Sequence, residues 1–487
     1  MKNTNKAATK DMTGGSPMRL ILGFSVPLLF GFLFQQFYNL VDTIIVGRLL
    51  GKYALAGVGS TGSINFMILG FCMGVCSGYA IPVSQMFGSG DYARMRKFVT
   101  HSIILCSGFA VIVTLLSSVF CRQILTAMRT PEEVMEFAYS YILIIFLGIP
   151  VTCMYNLLSG ILRALGDSRH PVQFLVISSF VNIGLDFFFI LGLKTGVSGA
   201  ALATVISQVV SAALSLVYIA RRVEILHLSR EDWRIDPFFF GILNKMGLPM
   251  GLQYSITAIG SVILQSAING QGADAVAAVA AAVRVSAFFC CPFDAMGATM
   301  ATYGGQNVGA KRLNRLGEGL RDCTLLGVIY SIAAFVILYF FGRSIIGLFV
   351  SGAETAVLDQ ARLFLLVNSA FYIPLALVNI IRFLIQGMGF SLFAVLAGVC
   401  EMIARSLSAL LLVPLIGFMG IALASPLAWI LADAFLIPAF LHVRAVLVKR
   451  LRVREEESRR AAEEAAAAET AAAAVPSGLK PAHAGVH

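Results

Sequence analysis

Two carboxylates stand inside long apolar stretches of this 487-residue chain: Asp42 within "QQFYNLVDTIIVG" and Asp186 within "FVNIGLDFFF". A central Asp costs about 2.5–3.5 kcal/mol on membrane-insertion scales, so each is a functional candidate by default. Gln35, then Tyr38 or Asn39, then Asp42 fall at helical spacing and form one polar stripe. Asn182 and Asp186, four apart, share a face in the same way, and Thr204 in "GAALATV" and Asn156 in "MYNLLSG" add neutral oxygens. Two carboxylates, two amides and a hydroxyl are hard oxygen ligands. They suit Na⁺ at Asp42 and Asp186, or a proton shared by two acids that repel each other. The plainer alternative is a packing acid satisfied by a partner, but Asp42 has no basic residue three or four positions away.

The second half of the chain has its own polar residues. Gln253, Asn379 and Arg382 lie deep in apolar runs, and Glu401 and Arg405, four apart, are expected to form an internal ion pair. Arg382 can partner Glu401 or Asp433, and spacing does not choose. Asp294 in "CPFDAMG" reads equally as cavity lining or as structure. Pro27 and Pro249 sit inside long apolar segments, where each removes a backbone hydrogen bond and is expected to bend a helix.

The elements that must position these groups follow from composition. The chain is 58% hydrophobic and 13% charged, against about half and about a quarter in soluble domains. A membrane-crossing helix needs about 20 apolar residues. Such segments fall near 20–46, 55–86, 99–121, 136–161, 171–193, 197–220, 240–268, 276–305, 322–348, 359–386, 392–415 and 419–443, about twelve in all. The alternation of a membrane β-barrel is missing, so the expected class is an all-α integral membrane protein. The polar start "MKNTNKAATKDMTGGSPMR" and the long first apolar run do not read as a cleavable signal.

The net charge of +10 fits the positive-inside rule better than nucleic-acid binding. With the N-terminus inside, the inner loops carry Arg94, Arg96 and Lys97, Arg163 and Arg169, Arg221 to Arg234, Lys311 to Arg315, and the basic tail; Arg48, Lys52, Arg122, Arg129, Lys194 and Arg343 fall outside. Both termini are then cytoplasmic, in a multi-pass protein of the cell membrane. The nine cysteines show no metal-ligand spacing and read as small packing residues; Cys72 and Cys76 share a helix face but lack His or acid partners. The six histidines form no mid-span cluster with acids, so an enzyme is disfavoured.

The chain also repeats itself. "SQMFGSGDYARMRK" from Ser84 matches "GQNVGAKRLNRLGE" from Gly305, with Gln85 and Gln306 separated by 221 positions (306 − 85). Gly88 and Gly309 share that shift, as do "GVSGAALATVISQ" and "GFMGIALASPLAW". Two homologous six-helix halves of the same orientation follow: 1–220 and 240–445, joined by a cytoplasmic linker 221–239 and followed by a low-complexity tail 446–487. Parallel halves around a central cavity are a transporter architecture, whereas nothing resembles a channel filter. At the repeat shift Asp186 matches Leu407 and Asp42 falls opposite Ile263–Leu264, so the acids belong to one half only.

Pro27, "YNLVDTIIVG", "SQMFGSGD", "GILRALGDS", "NIGLDFFFILGL", "GVSGAALAT" and "GQNVGAKR" together resemble the multidrug and toxin extrusion (MATE) family of prokaryotic efflux transporters, over essentially all twelve spans. The resemblance implies a V-shaped pair of six-helix bundles and cation-coupled export of drugs and toxins. It implies Asp42, Asn182, Asp186 and Thr204 as cation or proton ligands, with Gln35, Tyr38 and Asn156 lining the same pocket. Gln253 and Asn379 stand where some branches carry second-half acids, and with Asp294 they are expected along the substrate cavity. The expected protein is a monomer in the lipid bilayer that exchanges Na⁺ or H⁺ for an amphiphilic, often cationic, small organic molecule, with no other cofactor and no nucleic acid. A lipid-linked oligosaccharide flippase of the same superfamily is the alternative, disfavoured by an acidic first-half cavity.

Overall fold

A computed structural model describes residues 9–128, 130–348 and 355–473; Arg129, His483 and His487 lie outside them. Every span in the first half has a counterpart in the second. We number them α1 (Pro17–Leu50), α2 (Gly62–Ser89), α3 (Tyr92–Val119), α4a and α4b (Glu132–Leu147, Ile149–Ala164), α5 (Arg169–Gly192) and α6 (Val197–Arg222). The second half repeats them as α7 (Pro237–Asn269), α8 (Ala273–Gly309), α9 (Asn314–Gly347), α10a and α10b (Thr355–Ala370, Tyr372–Gly387), α11 (Ser391–Ile416) and α12 (Phe418–Ala473). With each bent pair taken as one span, twelve helices are long and apolar enough to cross a membrane.

The breaks in the spans fall elsewhere than at Pro27 and Pro249. Helices α1 and α7 run unbroken through Pro27 and Pro249. The chain turns instead by 49° between α4a and α4b and by 53° between α10a and α10b. Those breaks fall at Gly148 and Phe371, matching positions of the repeat, and Pro150 and Pro374 lie in the first turn of the helix that follows. Proline in a first turn costs no backbone bond, because those N–H groups have no intrahelical acceptor, so here it restarts a helix. Sequence patterning also ran the short helix Lys52–Ser60 into the second span, from which a turn at Thr61 separates it.

Helices α5 and α11 each widen into a π turn, at Phe188–Gly192 and Ser408–Leu412. One π turn follows Asp186 and the other follows Leu407, so the backbone device is inherited by both halves whether or not the acid is present.

By contacts, Met1–Phe440 form one compact unit and the residues from Leu441 a second. Within the first unit the two six-helix bundles meet closely through α2, which packs against α7 and α8. Glycines allow the approach. A Cβ on Gly78 would lie 2.5 Å from the Cα of Gly247, and one on Gly74 2.5 Å from the Met250 carbonyl. The second unit is helical to Ala473, with an Arg459–Glu463 ion pair at 2.9 Å one turn apart.

Candidate functional site

The polar stripe of α1 faces the ends of α5 and α6. Asn182 and Asp186 are wholly buried, and Asp42 is half-buried. The carboxyls of Asp42 and Asp186 lie beside each other. Two carboxylates both accept, so a hydrogen bond between them forms only when one carries a proton. Thr204 donates its hydroxyl to its own helix at Ala200 (3.0 Å), which leaves its oxygen for the Asn182 amide (3.5 Å) and the Tyr38 hydroxyl. Tyr141 of α4a closes the group from beside both acids.

Four buried oxygens in this group find no donor: Asp42 Oδ1, Asn182 Oδ1, and Asp186 Oδ1 and Oδ2. No Lys or Arg pairs with either acid among the described residues. An unpaired buried carboxylate is costly, and the cost is relieved by a proton or a bound cation. The donor set is entirely oxygen, which fits a hard ion such as Na⁺ and not a soft one.

The other residues singled out by sequence are dispersed. Gln35 is half-buried on α1, and Asn156 and Asn379 donate to carbonyls of their own helices, Thr152 (2.8 Å) and Leu375 (3.2 Å). Gln253 is buried and accepts from Gln386 at 2.6 Å. Asp294 is exposed on α8 beside Tyr254. In the second half Arg382 ion-pairs with Glu401, Arg405 pairs with the other Glu401 oxygen at 3.2 Å, and Asp433 lies near Arg382. Spacing found the Glu401–Arg405 pair; the structure chooses Glu401 for Arg382.

A cavity lies where the two bundles converge. Ser77 and Ser84 of α2, Arg163 of α4b, Met250 of α7, Thr302 of α8 and Phe383 of α10b line it. Its closed end is built from the repeated Gln-x-x-Gly segments. Gln85 Nε2 donates to the Gly387 carbonyl and Gln306 Nε2 to the Ala164 carbonyl, both at 2.9 Å. Each acceptor ends the broken fourth helix of the opposite half. The glycines cross reciprocally as well. A Cβ on Gly88 would lie 2.0 Å from Gln306 O, and one on Gly309 1.8 Å from Gln85 O.

The N-terminal segment straps this closure. Lys10 N bonds Leu165 O (3.0 Å), Met12 N bonds Gln306 Oε1 (2.8 Å), and Asn307 Nδ2 bonds Met12 O (3.3 Å). Arg312 donates to Thr13 O, and Arg315 to Gly15 O at 2.9 Å. Gly166, at φ +85°, lies so close to Lys10 that an added Cβ would stand 2.0 Å from its carbonyl. Sequence reading registered the repeated glutamines but saw in the N-terminal segment only a polar start, since backbone acceptors carry no sequence signature.

Three cysteines read as packing residues are also brought together. The thiols of Cys76, Cys106 and Cys153, from three different helices, lie within 4.8 Å of one another, with Cys76 and Cys106 at 3.7 Å. Spacing rules detect only ligands on one loop or helix face, so this cluster had no signature.

Comparison with known proteins places these features in context. The MatE family model matches residues 27–188 and 249–431, one segment in each half. A probable multidrug resistance protein of Bacillus subtilis, YoeA, is 29% identical over 68% of this chain and 73% of its own. An FAD transporter of Shewanella oneidensis is 24% identical over 84% of this chain and 91% of its own. In fold, the solved outward-facing conformation of a multidrug resistance MATE family transporter of the MOP superfamily superposes with a TM-score of 0.84, at 22% identity, over 92% of this chain and 99% of that one.

Proposed function

The chain belongs to the MatE family of multi-pass membrane transporters, and from that premise we propose that it is a secondary active antiporter exporting amphiphilic organic compounds in exchange for Na⁺ or H⁺. The observation that carries the coupling half of this reading is the pair of carboxyls, Asp42 and Asp186, in one buried group with four oxygens lacking a donor and no cation beside them. Such a group binds a proton or a hard cation, and its acids occur in one half only.

Asp42, Asn182, Asp186 and Thr204 would hold the ion, with Tyr38 and Tyr141 shielding it from lipid and water. Arrival of the ion neutralises the acids and lets α1 pack against α5 and α6 without a buried charge. Departure restores the repulsion and loosens that packing. Because α1 also packs against α8 of the other half, a change at the acids reaches the contact between the bundles. Rocking of the bundles about the reciprocal glutamine contacts would then alternate access to the cavity. The basic loops support a cytoplasmic linker end and a plasma-membrane location.

The experiment uses proteoliposomes loaded with a fluorescent organic cation, under an imposed Na⁺ or pH gradient, with wild type, Asp42→Asn and Asp186→Asn. Wild-type export driven by one gradient, and lost in both folded variants, is the expected result; the effective gradient names the ion. Export by both variants at the wild-type rate would remove the acids from the mechanism.

A further inference from the structure

The acids and the cavity carry opposite charges. Asp42 and Asp186 lie in the group bounded by α1, α5 and α6, and neither lines the cavity between the bundles. Among the residues lining the cavity there, Arg163 alone is charged. Its guanidinium makes no ion pair among the described residues. The ionisable groups that it feels are two phenols, Tyr155 and Tyr254, and not carboxylates. A cation in a cavity wall without an ion-pair partner attracts an anion.

The placement is also specific. Arg163 stands one residue before the Ala164 carbonyl that Gln306 grips, at the closed end of the cavity. Gly160, one turn earlier on the same helix, also lines the cavity, and a Cβ there would stand 3.3 Å from the Ala80 side chain. Ser77 and Ser84 supply hydroxyls along the adjacent wall, and Met250 and Phe383 supply an apolar body contact. Fork-shaped donors beside hydroxyls suit a carboxylate or a phosphate. Asp294 stands one turn from Ala298, itself in the cavity lining, so an acid lies further along the same helix.

We propose that Arg163 is the anion-recognition residue of the cavity, and that the protein takes amphiphilic solutes bearing a carboxylate or phosphate group, seated with that group at the closed end. This deepens the export reading and revises its substrate: the acidic pocket serves the coupling ion, so it does not bar an anionic cargo.

The test is equilibrium binding, which needs no gradient and so fails or succeeds independently of antiport. Purified full-length protein in neutral phosphatidylcholine nanodiscs is titrated with riboflavin 5′-phosphate and with riboflavin, which differ by one phosphate. A charge-assisted contact predicts roughly tenfold or more tighter binding of the phosphate ester to wild type. Arg163→Gln should abolish that ratio while leaving riboflavin binding in place, and Arg163→Lys should retain part of it. If Arg163→Gln does not fold, the Lys variant decides: it must keep a preference for the phosphate ester. Equal binding of the two flavins by wild type, or the wild-type ratio persisting in Arg163→Gln, overturns the proposal. Repeating the titration with phosphatidylglycerol added separates solute from lipid. Loss of the ester preference there assigns the site to the lipid headgroup and overturns the solute assignment; its persistence supports it.

Discussion

Gln306 grips the Ala164 carbonyl at 2.9 Å while its own amide oxygen receives Met12 N at 2.8 Å, so one side chain ties the N-terminal strap, the first bundle and the second bundle together. Among the described residues the side chain of Gln85, its partner by repeat, hydrogen-bonds Gly387 alone.

That inequality gives the first prediction. A buried group left without its partner costs about 1–3 kcal/mol, and Gln306→Ala orphans two where Gln85→Ala orphans one. Amide exchange should quicken in residues 10–15 and 161–166 in Gln306→Ala, and to a smaller extent in residues 384–389 in Gln85→Ala. Unchanged exchange in both would mean that these contacts do not hold the closed end.

The crossing glycines give the second. Ala at Gly88 or Gly309 places a Cβ against backbone at 2.0 or 1.8 Å, whereas Gly108, on α3, has nothing within 4 Å. Gly108→Ala should be neutral or stabilising by up to about 1 kcal/mol. Gly88→Ala and Gly309→Ala should both lower the thermal midpoint and leave the closed end exchange-labile. A midpoint equal to that of Gly108→Ala would show that the bundles can separate there without penalty.

Charge burial gives the third. Glu401 is shared by Arg382 and Arg405, and removing one member of a buried ion cluster costs about 3–5 kcal/mol. Glu401→Ala should therefore lower folded yield and thermal stability sharply, and Glu401→Gln, which still accepts hydrogen bonds, should do so less. The opposite is expected at Asp186: Asn there removes a buried acid without a donor, so the fold should survive while the gradient-driven export proposed above is lost.

The linker supplies a pH prediction. Burial pushes Asp232 up, but the Ser229 N–H and hydroxyl, each at 2.8 Å, and the Arg96 guanidinium at 3.4 Å outweigh it and hold the carboxyl below its ordinary range. A depressed carboxyl contributes stability that is present above its unfolded value, about 3.9, and is lost as pH falls through the folded one. Linker cleavage by an acid-tolerant protease should stay slow from neutral pH to about 4 and accelerate below that, whereas Asp232→Asn should be cut faster at neutral pH and lose the acid limb.

How much of this was legible in the sequence varied with the kind of interaction. The number of spans, the repeat and the grouping of Asp42 with Asn182, Asp186 and Thr204 follow from apolar length and from polar residues at helical spacing. Those are local signals, and the fold preserved them. The breaks at Gly148 and Phe371 were missed because a proline inside an apolar run looks the same whether it bends a helix or begins the next. The contact between Gln253 and Gln386 had no signature, because the two are 133 residues apart. Arg163 was taken as a loop charge of the positive-inside kind; only the meeting of α2, α4b and α8 around it reveals a cavity wall.

The reciprocal glutamine contact has an ancestral meaning. Two copies of one surface, each offering a glutamine and receiving the other's at a helix end, are the interface of a two-fold symmetric dimer. A single six-helix chain bearing Gln-x-x-Gly would have closed this face by pairing with itself, and any mutation there would have been suffered twice. Fusion into one chain relaxed that obligation. It left one half free to carry Asp42 and Asp186 while Ile263–Leu264 and Leu407 stand at the corresponding places, and it let the N-terminal strap fasten on one glutamine and ignore its twin.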